Sequence, residues 1–185
     1  MAAKRVYIIT NNGVKLRAAR EAFGEYGIRL LQIKKGYPEI QAESSLEIAR
    51  FTACYVAKSL NAPTIREHHS LYINALGIPG PYTAFIDKRL SASKLLKILS
   101  LFKDRGGFFE VSAVYAEPNG KTLERTYRVP VEFSKTRRGD SRYGWNCIIL
   151  PRGGNRTFAE ISEQKLSESF TKNFVWLAKR ISLLP

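Results

Sequence analysis

Residues 66–82, REHHSLYINALGIPGPY, hold both histidines of the chain, side by side and directly after Glu67. An imidazole beside a carboxylate can pass a proton near neutral pH or ligate a metal. His68 and His69 are badly placed to share one ion, because neighbours on an extended strand point to opposite faces. A second constellation is TNNGVK, residues 10–15, a glycine-containing turn followed by a helical pattern with Lys15 in its first turn. Backbone amides at a helix N-terminus attract an anion and a lysine adds a point charge, so this stretch reads as a phosphate grip. A solvated surface lysine is the alternative reading of Lys15.

These residues need elements to hold them. RVYIIT, residues 5–10, is a short β-branched and aromatic run, and VKLRAAREAFGEY puts Val14, Ala18, Ala22 and Tyr26 on one helical face. The pattern is strand, phosphate-sized loop, helix. A second strand is expected near IRLLQI. SSLEIARFTACYVAKSL predicts a helix capped by Ser44 or Ser45, with Leu46, Ala49, Ala53, Val56 and Leu60 as its apolar stripe. SASKLLKILSLF predicts another helix. GFFEVSAVYAE and KTLERTYRVPVEF, separated by PNG, predict a long hairpin, since Asn-Gly between extended runs is a strong turn signal. WNCIIL is expected as a strand, and Phe170, Phe174, Leu177, Ile181 and Leu184 recur at helical spacing at the end of the chain. Nothing in the 185 residues marks a linker or repeat, and the expectation is one α/β domain over residues 1–185.

The chain has 30 Lys and Arg against 16 Asp and Glu, a net charge of +14. Such an excess favours a polyanionic partner through counterion release, and nucleic acid is the first to consider. No run is long and apolar enough for a membrane span or secretory signal, which predicts a cytoplasmic protein without a membrane partner. Cys54 and Cys147 are far apart, without metal-ligand spacing, and are expected as buried thiols.

TNNGVK, YPEIQAE, NALGIPGPY, YGWN and TFAEISEQK, in that order, resemble the inosine triphosphate pyrophosphatase family, hydrolases of non-standard purine triphosphates such as ITP, XTP and dITP. The resemblance runs nearly end to end. It implies an ITPase-like α/β fold: an elongated, two-lobed, mixed twisted sheet flanked by helices, with a long antiparallel hairpin. It also implies Mg²⁺-dependent cleavage between the α and β phosphates. On this resemblance Thr10, Asn12 and Lys15 grip phosphate, Lys165 reaches phosphate, and Glu39 and Glu67 remain of a metal site. The chain departs from the family at Ala18, where a glutamate is expected; at His68, in place of the catalytic aspartate; at Asn146, in place of an aspartate; and at Phe170 and Thr171, in place of His-Arg.

These departures strike carboxylate chemistry and base reading together, and with the charge they predict a catalytically inactive family member serving as a basic RNA scaffold in or on the ribosome. Its partners would be rRNA and neighbouring ribosomal proteins, with no cofactor, and Mg²⁺ only if pyrophosphatase activity persists. The phosphate contacts would come from Lys34, Lys35, Lys88, Arg89, Lys94, Lys97, Lys103, Arg105, Lys135, Arg137, Arg138 and Arg142, with Tyr143 and Trp145 either as stacking surfaces or as core residues. The alternative is a divergent Mg²⁺-dependent pyrophosphatase using Glu39, Glu67 and His68. A nucleotide bound without turnover, and a homodimer, stay open.

Overall fold

The computed structural model describes residues 4–34 and 37–184, with the backbone alone at 141–143. Lys35 therefore lies outside the described residues, as do the side chains of Arg142 and Tyr143. The strands are β1 (Arg5–Ile9), β2 (Arg29–Ile33), β3 (Thr64–Ile73), β4 (Pro79–Gly80), β5 (Gly106–Ala116), β6 (Thr122–Phe133) and β7 (Ile149–Pro151). The helices are α1 (Gly13–Gly24), α2 (Ser45–Leu60), α3 (Thr83–Asp87), α4 (Ala92–Leu99), α5 (Glu163–Glu168) and α6 (Lys172–Ser182). The strands form one mixed sheet in the order β2-β1-β3-β5-β6-β7, with β4 paired to β3. β1 runs parallel to both β2 and β3, whereas β4 and β7 pair antiparallel with β3 and β6. The mixed α/β fold with a hairpin at Glu117–Lys121 is as the sequence implied.

The chain divides into two compact units, and β3, β5 and β6 each contribute to both. The first holds residues 1–68, 111–127 and 167–185. Alternate β5 residues serve opposite faces of its sheet. Ala113 and Tyr115 join Val6, Ile8 and Ile65 under α1 and α6, in a core centred on Phe23, Phe174, Leu177 and Ile181. Val114 and Ala116 meet Ala49, Ala53 and Ala57 of α2. The small residues of α2 let helix and strand backbones approach closely. Ser44, not Ser45, caps α2, its Oγ accepting from Glu47 N at 3.2 Å, while Ser45 is buried with its Oγ 3.1 Å from Ser112 Oγ. On α1 the buried face is wider than the predicted stripe, adding Leu16, Ala19 and Phe23, and Tyr26 is left exposed.

The second unit holds residues 69–110 and 128–166. Tyr72 of β3 stacks on Phe108 of β5 with ring centroids 5.0 Å apart, and the Arg128 guanidinium covers the same Phe108 ring. WNCIIL is not the expected strand. Residues Ser141–Cys147 form a 3₁₀ turn, and only Ile149–Pro151 is β. The turn is set by one glycine and by partners far back in the chain. Gly144 takes φ +58°, Trp145 N donates to Asp87 Oδ1 at 3.1 Å, and the Trp145 indole donates to Leu90 O at 2.7 Å. With 3% exposure, Trp145 is a core residue and not a stacking surface. Cys147 is buried as expected, and Cys54 is half-buried. No helix among the described residues is long and apolar enough to cross a membrane.

Candidate active site

The loop between β1 and α1 is built by its own side chains. Asn12 Oδ1 caps α1 by accepting from Val14 N at 2.9 Å and Lys15 N at 3.2 Å, and Thr10 Oγ1 accepts from Asn12 N at 3.1 Å. Several of the amides that the sequence offered to an anion are therefore engaged within the loop. Thr10 and Asn12 shape the turn, and the positive charge at this strand end comes from side chains.

Lys15 points from the first turn of α1 to Glu67 on β3, with Nζ 3.6 Å from Oε2. The Glu67 side chain is only 3% exposed and that of Lys15 22%. Burial pushes the Lys15 pKa down to about 8; Glu67 opposes the shift, and the nearby Arg66 guanidinium adds to it. Arg66 is opposite Ile9 in the β1–β3 register. Its Nη1 donates to Ile9 O at 3.1 Å, and its Nη2 forms a close ion pair with Glu39 Oε1. Arg66 and Glu67 leave the strand on opposite faces, but the charges of Arg66 and Glu39 both act on Lys15, so the four side chains are two neighbouring ion pairs at the end of β1. Tyr127 extends the same unit: its hydroxyl donates to Ser169 O at 3.3 Å, and its pKa is raised chiefly by burial and then by the Glu67 charge.

The sequence did not single out Arg66. The signal was the alternation of REHHS, which places Arg66 and His68 on one face of the strand and Glu67 and His69 on the other. Both histidines are half-buried on β3. Ala18 is in the α1 core and fills apolar space. Phe170 is half-buried in the turn before α6 and not on the buried stripe of that helix, and Thr171 Oγ1 donates to Glu168 O at 3.1 Å. Asn146 and Lys165 belong to the other unit, Asn146 half-buried and Lys165 exposed on α5.

Among the described residues no three His, Cys, Asp or Glu side chains gather into a metal-binding group. An all-protein cage is not the usual way to hold Mg²⁺, which takes one or two carboxylates and completes its shell with water and substrate phosphate. The hard oxygen donors of Glu39 and Glu67 fit that requirement. His68 and His69 do not.

The model of the Ham1 family matches residues 6–171. A protein of Methanopyrus kandleri named dITP/XTP pyrophosphatase is 33% identical over 162 residues, covering 87% of this chain and 86% of its own. Another of that name, from Ignicoccus hospitalis, is 31% identical over 186 residues, covering 98% and 99%. Among solved structures, a HAM1 protein from Coxiella burnetii superposes with a TM-score of 0.80 at 20% identity, covering 97% of this chain and 96% of its own. The Ham1 protein of Staphylococcus aureus gives 0.79 at 22%, covering 96% and 97%.

These likenesses correct the functional expectation drawn from charge and missing motifs. The reading of an inactive RNA scaffold with rRNA and ribosomal-protein partners is overturned, because the relatives are named as nucleotide pyrophosphatases. Net charge describes solubility and association, not chemistry, and part of it is engaged internally. Arg105 donates to the carbonyls of Phe133, Leu99 and Ser134. Arg89 lies over the Phe85 ring, Arg138 reaches Asn155 O and Glu160, and Arg137 reaches Ser93 Oγ. Lys34, Lys88, Lys94, Lys97, Lys103 and Lys135 are exposed, and the set is divided between the two units. Of the acids, Glu67 is kept, closed to solvent against a lysine at the phosphate loop. Motif order, sheet topology and full-length likeness agree, and the chain belongs to the Ham1 family, that of the inosine triphosphate pyrophosphatases.

Proposed function

We propose that this protein is a nucleoside triphosphate pyrophosphatase acting on non-standard purine triphosphates of the dITP and XTP type. The observation that carries the reading is the ion pair of half-buried Lys15 with buried Glu67 at the β1–α1 loop, beside Arg66 and Glu39. It sets phosphate-binding cations next to the carboxylates that suit a divalent ion, as hydrolysis of a polyphosphate requires. The relatives named dITP/XTP pyrophosphatase support the substrate class.

In this reading Lys15 and Arg66 neutralise the triphosphate, while the Thr10–Asn12 turn holds Lys15 in place through the α1 cap. Glu39 and Glu67 would hold Mg²⁺, which lowers the charge of the triphosphate and supports the attacking water when bound. Water adds to one phosphorus of the α–β anhydride and the bridging oxygen leaves with the other, giving monophosphate and pyrophosphate. The proton of the water passes to the His68 imidazole, a base suited to neutral pH.

The test is pyrophosphate release from ITP, XTP and dITP by purified protein with Mg²⁺. The expected result is turnover that Glu67→Gln lowers by about a hundredfold or more, the usual cost of removing one electrostatic contributor. His68→Ala should lower kcat and leave KM little changed, as loss of a group acting in the chemical step does. Absence of turnover with all three substrates would remove the proposal.

A further inference from the structure

The four charges at the end of β1 are mutually neutralised before any substrate arrives. Glu67 is 3.6 Å from Lys15, and Glu39 is held by Arg66. A bare divalent cation reaching the carboxylates would have to displace two protein cations and would feel their repulsion. A bare triphosphate reaching the cations would have to displace two carboxylates. A metal-bound triphosphate satisfies both sets at once: its phosphates take Lys15 and Arg66 while its metal takes Glu39 and Glu67.

Arg66 is built for such an exchange. Its Nη1 is anchored to Ile9 O, one residue before Thr10, and this fixes the guanidinium at the phosphate loop. Its Nε is buried and has no acceptor among the described residues. Its bond to Glu39 reaches outward, since the Glu39 side chain is 47% exposed and lies on a segment without helix or strand. The anchored side of the arginine stays in place while the exposed carboxylate can move. With the loop amides partly used by Asn12 and Thr10, the guanidinium is also a donor that the anion site needs.

We infer that Arg66 is an interchange residue, which holds Glu39 in the nucleotide-free protein and passes to a substrate phosphate when a metal–triphosphate arrives, so that metal and triphosphate bind as one unit. This rests on the pyrophosphatase reading above and adds to it the order of binding and a residue outside the family motifs.

The experiment measures two affinities separately, in wild type, Arg66→Gln and Glu39→Gln. Mn²⁺ alone is titrated by loss of its free electron-spin resonance signal. A non-hydrolysable α,β-methylene analogue of ITP is titrated by calorimetry with EDTA in place of metal. Without Arg66, Glu39 is released, so Arg66→Gln should bind Mn²⁺ about three- to tenfold more tightly and the metal-free analogue more weakly by a similar factor. Glu39→Gln should do the reverse, tightening the analogue and weakening Mn²⁺. Glu39 is well exposed, so this arm stands even if Arg66→Gln fails to fold. Variants that leave both affinities unchanged, or move them in the same direction, overturn the inference. Pyrophosphate release by wild type in that case leaves the functional reading standing; wild type without release and without binding of the analogue defeats the functional reading itself.

Discussion

Glu67 shows how one buried carboxylate constrains its neighbours. A charge removed from water is costly unless paired, and a cation lost from a buried pair leaves that cost exposed. Lys15→Met should therefore destabilise the protein by about 3 kcal/mol, and adding Glu67→Gln to it should restore part of the loss. Urea denaturation of the two single variants and the double variant checks this; additive losses would show that the pair does not act as a unit. Lys15 was legible from the sequence because a lysine in the first turn after a glycine-containing loop has a clear physical use. Its partner was legible only through the resemblance, since Glu67 is 52 positions away and depends on the pairing of β1 with β3.

At the scale of elements, α2 is tied to β6 by Arg50 and Glu124, whose Nε–Oε1 and Nη2–Oε2 distances are both 2.7 Å. The Arg50 hydrogen bonds hold the Glu124 carboxyl below its ordinary pKa. A carboxyl depressed on folding adds stability that is present above its unfolded pKa and is lost as pH falls through the folded one. Thermal melts from pH 7 down to pH 3 should show wild type losing an advantage over Glu124→Gln of roughly 0.5–1 kcal/mol. A constant difference across that range would refute the assignment. Most elements were legible from periodicity, capping and the Asn-Gly turn. The 3₁₀ turn at Ser141–Cys147 was not, because an apolar run does not reveal that Asp87, 58 positions earlier, will hold the Trp145 amide.

Across the whole molecule the charge of +14 is a self-repulsion, however the individual groups are paired. Raising NaCl from about 0.01 M to about 0.15 M shortens the screening length from ~30 Å to ~8 Å. The melting temperature should rise by about 2–4 °C over that interval, because relief of repulsion outweighs the weakening of exposed pairs. A fall, followed by differential scanning calorimetry in the two salts, would mean that attractive pairs dominate. The charge was read correctly as a quantity and wrongly as a function: composition cannot tell a lysine facing solvent from an arginine such as Arg105, whose guanidinium is engaged by three backbone carbonyls.

By itself the sequence determined the α/β class, the hairpin, the phosphate-loop pattern and the resemblance to a pyrophosphatase family, because each depends on residues close in the chain or on motif order. Only the tertiary structure decided that Trp145 is buried within a 3₁₀ turn, and that Arg66 meets Glu39 beside Lys15 and Glu67. These are contacts between residues far apart in sequence. Their energies depend on burial and register, which appear only once β1 and β3 have paired and α1 has packed on the sheet.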